Sequence, residues 1–363
     1  MTTLLGKIVY ERAYYFCLHC RNGHFPTDDE LGLIRKQTPA AQEVITLAGV
    51  LDPFEEGAQR VLPTLAGLNV SPSTVQRTTE DIGTDIAQRR EAGETFEVPP
   101  LEWGRDARGR TLACVGLDAT GVPQQGEHAK KAEGRMPWVA TVFSPPGTAP
   151  RKRRARMSAR YVSGLMSLGE IGGQLRRECR AAGLAKAEVV VGLSDGGAGL
   201  EGCLIDAVAG MAGEFHLILD FYHAAEHVRE FTRVLLSDEE SRRKQVEQWC
   251  DTLKHQGGAA LVEELERLDL SAASAESRES HRLLLGYLGS NMHRTDYPAY
   301  VAQGWPIGSG AVESACKTVV CQRLKCSGMR WRERGTTALC QLRALYRSEP
   351  ALWFSYWKRY AAA

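Results

Sequence analysis

Three acidic residues lie where their carboxylates could bind metal together: Asp118, Asp195 and Glu313. Each aspartate stands at or just past the carboxyl end of an apolar run that is typical of a buried strand. Glu313 lies one turn into a predicted helix that could cover the same edge of the sheet. Carboxylate oxygens are ligands that Mg²⁺ prefers, and two such ions about 3.5–4 Å apart can activate a water or a 3′-hydroxyl at a phosphodiester. The sequence therefore predicts a metal-dependent phosphodiester site.

Each of these residues also has an ordinary structural interpretation. An aspartate after a strand often only caps a loop, and Glu313 with Lys317, four residues later, would form a surface pair worth a few tenths of a kcal/mol. Asp220, which follows another apolar run, is the alternative second metal ligand. His223 and His227, four residues apart, could bind zinc or lie inside a helical core.

The helix that carries Glu313 follows a glycine-rich loop. Residues 308–310 (GSG) supply this loop, with the serine as the predicted N-cap. Val312, Cys316 and Val319 then recur at i, i+4 and i+7, which predicts one apolar helix face against a core.

From residue 111 onward, short apolar runs alternate with amphipathic segments. The predicted order is three strands, a helix, a strand, a helix and a fifth strand, followed by a charged all-α insertion. Strands that alternate with helices indicate an α/β fold with parallel strands and helices on the sheet faces. With acids after the first and fourth strands, this is the layout of the ribonuclease H-like fold. The predicted strands cover residues 111–117, 138–143, 155–162, 188–193 and 215–219, and Gly196-Gly197 is predicted to open the helix after the fourth strand.

The N-terminal part predicts a helix-turn-helix. Residues 58–66 form a short periodic helix, residues 67–70 a turn, and Ser71 is a strong N-cap before a second helix through residue 86. This is a DNA-binding pattern, although short helix pairs are also common in ordinary cores. Gln76 and Arg77 lie in the first turns of the second helix, where side chains can reach bases in the major groove.

Cysteine usage and hydropathy indicate a cytosolic protein. The ten cysteines form no disulfide framework, the first residues lack the apolar run of a signal peptide, and no later run approaches the roughly 18 residues of a membrane helix. Cys17 and Cys20 form a Cys-x2-Cys half-site, but a structural zinc needs four ligands. Zinc binding here is therefore one interpretation, an incomplete or vestigial zinc ribbon is another, and two reduced buried thiols are the third.

The net charge of +1 argues against a strongly nucleic-acid-binding chain, but basic residues cluster in two places. Six lie in residues 151–160, and six in residues 317–334 against one acid. Lys317, Arg330 and Arg332 could contact phosphates, and Trp331 could stack on a base. The alternative for them is a solvated basic turn.

Several motifs resemble the bacterial insertion-sequence transposases of the Kra group. These are residues 219–227 (LDFYHAAEH), 305–317 (WPIGSGAVESACK) and 323–331 (RLKCSGMRW), and the resemblance extends through residues 118–123 and the N-terminal start. It covers nearly the whole chain. One departure is Asp-Gly-Gly-Ala at residues 195–198, where the family has Asp-Gly-Ala. Similar transposases also carry a further cysteine pair before the one that corresponds to Cys17 and Cys20, so a zinc ribbon would be partial here.

The resemblance implies a DDE-type DNA transposase with a ribonuclease H-like core. Asp118, Asp195 and Glu313 would be the catalytic triad and would hold two Mg²⁺ or Mn²⁺ ions. Asp220 and His223 resemble the Cys/Asp-x2-His signature of several DDE groups, which implies that they support the site. The partners would be double-stranded DNA, both element ends and target, and a homodimer or larger assembly would form on that DNA in the bacterial cytoplasm. The alternatives are a non-catalytic or domesticated helix-turn-helix protein and a ribonuclease H-like nuclease without strand transfer.

Six segments follow from these patterns. They are a partial zinc-ribbon-like start (1–37), the helix-turn-helix region (38–90), a linker (91–110), the first part of the core (111–221), the all-α insertion (222–300), and core completion with the Glu313 helix and a basic C-terminal region (301–363).

Overall fold

The computed structural model describes residues 1–145 and 157–358. Together they form an α/β protein around one mixed sheet. The N-terminal residues form two small antiparallel ribbons and a short helix. The ribbons pair Thr2–Thr3 with Gly6–Lys7 and Tyr15–Phe16 with Gly23–His24, and the helix is Pro26–Glu30.

The predicted helix-turn-helix region is helical. Helix α1 (Pro39–Leu51) is followed by a helical run with a π-helical turn at Gly57–Val61, and this run ends where Gly67 takes a left-handed conformation with φ of 63°. Helix α2 (Pro72–Glu91) is longer than predicted. The predicted N-cap is confirmed, because the Ser71 side chain accepts a hydrogen bond from the Thr74 N–H.

All five predicted strands are present in the central sheet. The order is β3-β2-β1-β4-β5, in which β2 is antiparallel to both β1 and β3, and β1, β4 and β5 are parallel. The bounds are β1 (Thr111–Ala119), β2 (Trp138–Phe143), β3 (Ala159–Gly164), β4 (Val189–Ser194) and β5 (Glu214–Leu219).

Two predicted bounds around the sheet are corrected, and one hairpin was not predicted. Strand β1 runs through Asp118, which therefore lies within the strand. A hairpin that the sequence did not predict, Val122–Gln125 with Lys131–Arg135, follows β1. The helix expected from residue 196 starts at Leu200, because Gly196 and Gly199 take φ values of 92° and 79°, which a right-handed helix cannot include.

Most of the basic cluster at residues 151–160 lies outside the described residues. Arg160 is described, and it is fully buried on β3, where its Nε donates to Glu349 at 2.8 Å. This arginine is therefore part of the core and not of a DNA-binding surface.

Helices cover both faces of the sheet. Helices α3 (Leu168–Ala181) and α4 (Leu200–Val208) pack on the face to which Ala113, Val115 and Leu117 of β1 belong. The predicted all-α insertion follows β5, and its first helix starts the layer on the other face. Its helices are α5 (Phe221–Leu235), α6 (Glu239–Gln256), α7 (Gly258–Glu266) and α8 (Ala275–Ser290), followed by Tyr297–Ala302.

The C-terminal helices complete the second face. Helix α9 (Gly310–Ala315) continues through a π-helical turn, Cys316–Cys321, into Gln322–Leu324. Helices α10 (Glu333–Arg347) and α11 (Pro350–Lys358) then pack against the N-terminal helices. Within the described ranges, no helix is both long and apolar enough to cross a membrane.

Helix α2 is in close contact with α10. A Cβ at Gly83 would lie 2.4 Å from the backbone oxygen of Ala338, so only glycine permits this approach. Ile82 and Ile86 share a core with Leu342. The predicted linker is also attached to the sheet, for its Gly104–Arg105 segment pairs with β1. The helix-turn-helix region and the core therefore share buried contacts.

Candidate active site

Asp118 and Asp195 lie at the same edge of the sheet on neighbouring parallel strands. Leu193 of β4 pairs with Gly116 of β1, and each aspartate lies two residues beyond its member of this pair. Because neighbouring strands are about 4.8 Å apart, the register places the two aspartates side by side. Burial raises the pKa of Asp118, and the negative charge of Asp195 raises it further. The two carboxylates are thus close enough to interact.

Asp220 continues the same row on the next strand. Ser194 pairs with Leu219, and Asp195 and Asp220 are the residues that follow them. Asp195 therefore lies between Asp118 and Asp220. The Asp220 side chain is buried and caps α5, since its Oδ1 accepts a hydrogen bond from the Tyr222 N–H at 2.7 Å. This capping is a structural role for Asp220.

Glu313 faces this edge from α9. Its side chain is exposed, and it forms no ion pair with Lys317 among the described residues, so the surface pair considered above is not formed. Ser309 is the N-cap residue of α9, as predicted, but its side chain makes no capping hydrogen bond. The Ser309 hydroxyl instead contacts the carboxylates of Asp220 and Glu313, the latter at 3.1 Å. One hydroxyl hydrogen can serve only one of the two carboxylates at a time.

A glycine on β1 allows α9 to lie directly on the sheet. A Cβ at Gly116 would be 2.3 Å from Cγ2 of Val312. Val312, Cys316 and Val319 are buried, which confirms the predicted apolar stripe. The Cys316 thiol also donates to Oδ2 of Asp118 at 3.5 Å. Close packing and this thiol contact together fix the helix of Glu313 over Asp118.

The insertion contributes an aromatic wall beside the aspartates. His223 is near enough to Asp118 to lower its pKa against the larger effect of burial. The rings of His223 and His227 are 5.0 Å apart, and Tyr287 lies 4.1 Å from His227. The Tyr287 hydroxyl donates to the backbone carbonyl of Asp195 at 3.0 Å. Burial and the charge of His223 lower the pKa of His227, which favours its neutral form.

The donor chemistry of this edge suits a hard cation. Asp118 and Asp195 present carboxylate oxygens from neighbouring strands, and a cation between them would offset their repulsion. As the side chains are placed, no three His, Cys, Asp or Glu residues in ranges 1–145 and 157–358 form a metal-binding group. Glu313, which bonds to Ser309, would have to change its side-chain conformation to share an ion with the aspartates. The residues fit Mg²⁺ or Mn²⁺ in type and in backbone placement.

The residues predicted to contact DNA are all exposed: Gln76, Arg77, Lys317, Arg330 and Arg332. Three of them, Gln76, Arg330 and Arg332, line one cavity of about 590 Å³. Arg77 and Lys317 are not among the residues that line this cavity. The structure thus brings the predicted recognition helix and the C-terminal basic turn to one place.

Cys17 and Cys20 are exposed and lie in the turn of the Tyr15–Phe16/Gly23–His24 ribbon. The Cys20 N–H approaches Cys17 Sγ at 3.5 Å, and hydrogen bonding from Cys20 lowers the pKa of Cys17. A lower pKa favours the thiolate that metals bind. Zinc binding at this pair remains a prediction.

The sequence did not identify two side chains of the site, Tyr287 and Cys316. Tyr287 lies in a charged helical segment whose periodicity does not mark it, and Cys316 was assigned only to an apolar stripe. Ser309 carried a usable signal, because a serine between two glycines four residues before Glu313 can reach that carboxylate.

No protein-family model matches the chain, and no curated protein matches it. Function must therefore be inferred from the chemistry of the site.

Proposed function

We propose that the chain is a DDE-type DNA transposase of a bacterial insertion sequence, similar to the Kra group. It would cleave DNA strands at the element ends and transfer them to target DNA. The observation that carries this proposal is the placement of Asp118 and Asp195 at one register position on neighbouring parallel strands, under the helix of Glu313.

The sheet supports a ribonuclease H-like core. Such a core is expected to have three antiparallel strands followed by two parallel ones, with the first strand at the centre. The order β3-β2-β1-β4-β5 has this arrangement. The acids then follow the expected pattern, with one on the first strand, one after the fourth, and one on a later helix.

The protein's own residues would hold and orient the reacting groups. Asp118 and Asp195 would bind Mg²⁺ or Mn²⁺ from the sheet, and Glu313 would approach from α9. When bound, two such ions activate a water or a 3′-hydroxyl and stabilise the leaving oxygen. The Cys316 thiol would orient the Asp118 carboxylate through its contact with Oδ2.

Asp220 and His223 would support the site without binding the shared ions. Asp195 lies between Asp118 and Asp220, so Asp220 is a strand further from Asp118. The Asp220 Oδ1 also accepts the hydrogen bond from the Tyr222 N–H that caps α5. We therefore favour Asp195 over Asp220 as the second ligand.

The partners would be double-stranded DNA at the element ends and at the target. Gln76, Arg77, Lys317, Arg330 and Arg332 would contact it. Phosphate contacts would supply affinity that falls with salt, and the first turns of α2 would supply discrimination. Two ends must be joined, so we expect a homodimer or larger assembly on DNA, in the bacterial cytoplasm.

The experiment follows one radiolabelled strand of a duplex that carries the DNA flanking this gene. Purified protein is incubated with Mg²⁺, with Mn²⁺ or with EDTA, and then a target plasmid is added. The proposal predicts metal-dependent nicking that leaves a 3′-hydroxyl, and then joining of that end to the plasmid.

Other outcomes would select the alternatives. Nicking without joining, even when a pre-cut 3′-hydroxyl end is supplied, would favour a ribonuclease H-like nuclease. Sequence-specific binding without nicking in either metal would favour a non-catalytic helix-turn-helix protein.

A further inference from the structure

A cavity of about 590 Å³ opens between α2, the segment before α10 and the hairpin that follows β1. Part of its lining is apolar, from Phe54, Met329 and Trp331. The rest is strongly basic. The cavity thus combines an aromatic wall with arginines.

A buried arginine lies in the wall of this cavity. Arg323 is fully buried, and its guanidinium carbon lies 4.8 Å from the ring centre of Phe54 and 5.1 Å from that of Trp331. Its Nε donates to the backbone oxygen of Gly49 at 2.9 Å. Its Nη2 has no hydrogen-bond partner among the described residues. A buried donor without a partner is costly, so it marks a place for an acceptor from outside the chain.

The charge around the cavity favours an anion. Four arginines line it, namely Arg323, Arg330, Arg332 and Arg334, against the single carboxylate of Glu80. That carboxylate already accepts a hydrogen bond from Gln76 at 2.8 Å. Guanidinium groups bind phosphate oxygens through paired hydrogen bonds.

Hydrogen bonds connect the lining of the cavity to the segment that follows Asp118. The backbone N–H of Trp331 donates to the backbone oxygen of Pro123 at 3.1 Å, and the backbone N–H of Gln125 donates to the backbone oxygen of Trp331 at 2.8 Å. Lys325 Nζ also donates to Thr120 Oγ1 at 2.9 Å. Thr120 is two residues after Asp118. DNA held at the sheet edge would therefore pass near this cavity.

We propose that this cavity binds one nucleotide displaced from a DNA strand, with its base against Phe54 and Trp331 and its phosphate at the arginines. A phosphate alone would leave the aromatic wall unused, and the backbone of a paired duplex would stay outside a concave site. The inference rests on the proposed function, because it takes DNA as the substrate.

The test measures affinity by fluorescence anisotropy with the full chain in EDTA, which prevents cleavage. One probe is a paired duplex, and the other is the same duplex with one extra unpaired adenosine. The wild-type protein should bind the bulged duplex about tenfold more tightly, as expected for one stacked base. Arg332→Ala and Arg334→Ala should each remove most of this preference.

Arg243→Ala is the matched control. Arg243 and Arg334 are equally exposed, at 66% and 67%, and each forms an ion pair with one acid. Arg243 lies on α6, away from the cavity, so its loss should leave the preference unchanged. Phe54→Leu, which keeps an apolar side chain but removes the ring, should reduce the preference without affecting the paired duplex. Thermal unfolding of each variant shows whether it is folded.

Equal wild-type affinity for the two duplexes would overturn the proposal. A preference that survives both Arg332→Ala and Arg334→Ala would also overturn it. AMP is the third probe: if AMP binds in an Arg332-dependent way while the bulge gives no advantage, the ligand is a free nucleotide and the DNA assignment is wrong. A clear bulge preference without metal-dependent nicking would support the cavity and contradict the proposed function. Nicking without a bulge preference would support the proposed function and contradict the assignment of the cavity.

Discussion

At the sheet edge, Asp118 and Asp195 are brought together by backbone pairing that starts two residues before each of them. In the cavity, Gln76 and Arg323 are brought together only by the packing of helices that are far apart in the sequence. The first site is therefore fixed by strand register and the second by tertiary packing. Chemistry at the edge and DNA binding at the cavity should respond differently to the same kinds of substitution.

The largest expected effect separates the two sites completely. Glu313→Gln keeps the size of the side chain but removes its charge, so metal-dependent nicking should fall by roughly 10³-fold. Preference for the bulged duplex should stay unchanged, since Glu313 does not line the cavity. Single-turnover nicking and anisotropy measure the two quantities. Glu247→Gln, which changes an exposed glutamate on α6, is the control. Normal nicking by Glu313→Gln would mean that Glu313 is only a surface residue with no part in the chemistry.

A smaller effect should follow from disturbing the contact between α9 and β1. Gly116→Ala places a Cβ against Val312, and such overpacking costs about 1–3 kcal/mol of stability. Nicking should fall by roughly ten- to a hundredfold, because a misplacement of about 1 Å can cost that much.

Val312→Ala in the same chain makes room for the added methyl and should restore most of the lost nicking. Gly202→Ala is the control, because a Cβ there has nothing within 4 Å. If the double variant is no better than Gly116→Ala, close packing of α9 is not what positions Glu313.

Substitutions on α2 should act on binding and not on chemistry. Gln76→Ala and Arg77→Ala together should reduce the preference for element ends over random duplex by roughly tenfold. Nicking of a nonspecific duplex should be largely retained. The single variants distinguish the two residues, because Gln76 lines the cavity and Arg77 does not. Only Gln76→Ala should therefore also lower the preference for a bulged duplex. Equal losses on both substrates would mean that α2 is scaffold.

The smallest effect concerns stability as a function of pH. The pKa of Asp118 is raised above its usual 3.8 in the folded protein, by burial and then by Asp195. The folded state then binds more protons than the unfolded one. Ionisation of Asp118 therefore lowers the free energy of unfolding as the pH rises above 3.8. Asp118→Asn should therefore have a higher melting temperature than the wild type at pH 7 in EDTA. The melting temperature of this variant should also decrease less than that of the wild type between acid and neutral pH. Added Mg²⁺ should stabilise only the wild type.

Sequence periodicity located all five strands, because apolar runs of strand length are visible without knowledge of the fold. The pairing of Asp118 with Asp195 followed from strand ends that share one edge. The ends of elements were less accurate. Gly196 and Gly197 were predicted to open a helix, although the left-handed conformations of Gly196 and Gly199 delay its start to Leu200.

Features that depend on tertiary packing could not be predicted. Arg323 was seen only as one charge in a basic cluster, yet it is buried between two rings. Tyr287 reaches Asp195 from a helix whose placement the sequence does not specify. The approach of α2 to α10 at Gly83 is likewise a long-range contact. In each case the partner lies far away along the chain.

If Asp118 and Asp195 share a divalent ion, a crystal structure of the protein grown with Mn²⁺ should show it directly, because anomalous diffraction locates the metal. We predict an anomalous peak between the carboxylates of Asp118 and Asp195, and loss of that peak in Asp195→Asn. A peak that instead joins Asp118 to Asp220, or one that persists in Asp195→Asn, would contradict it.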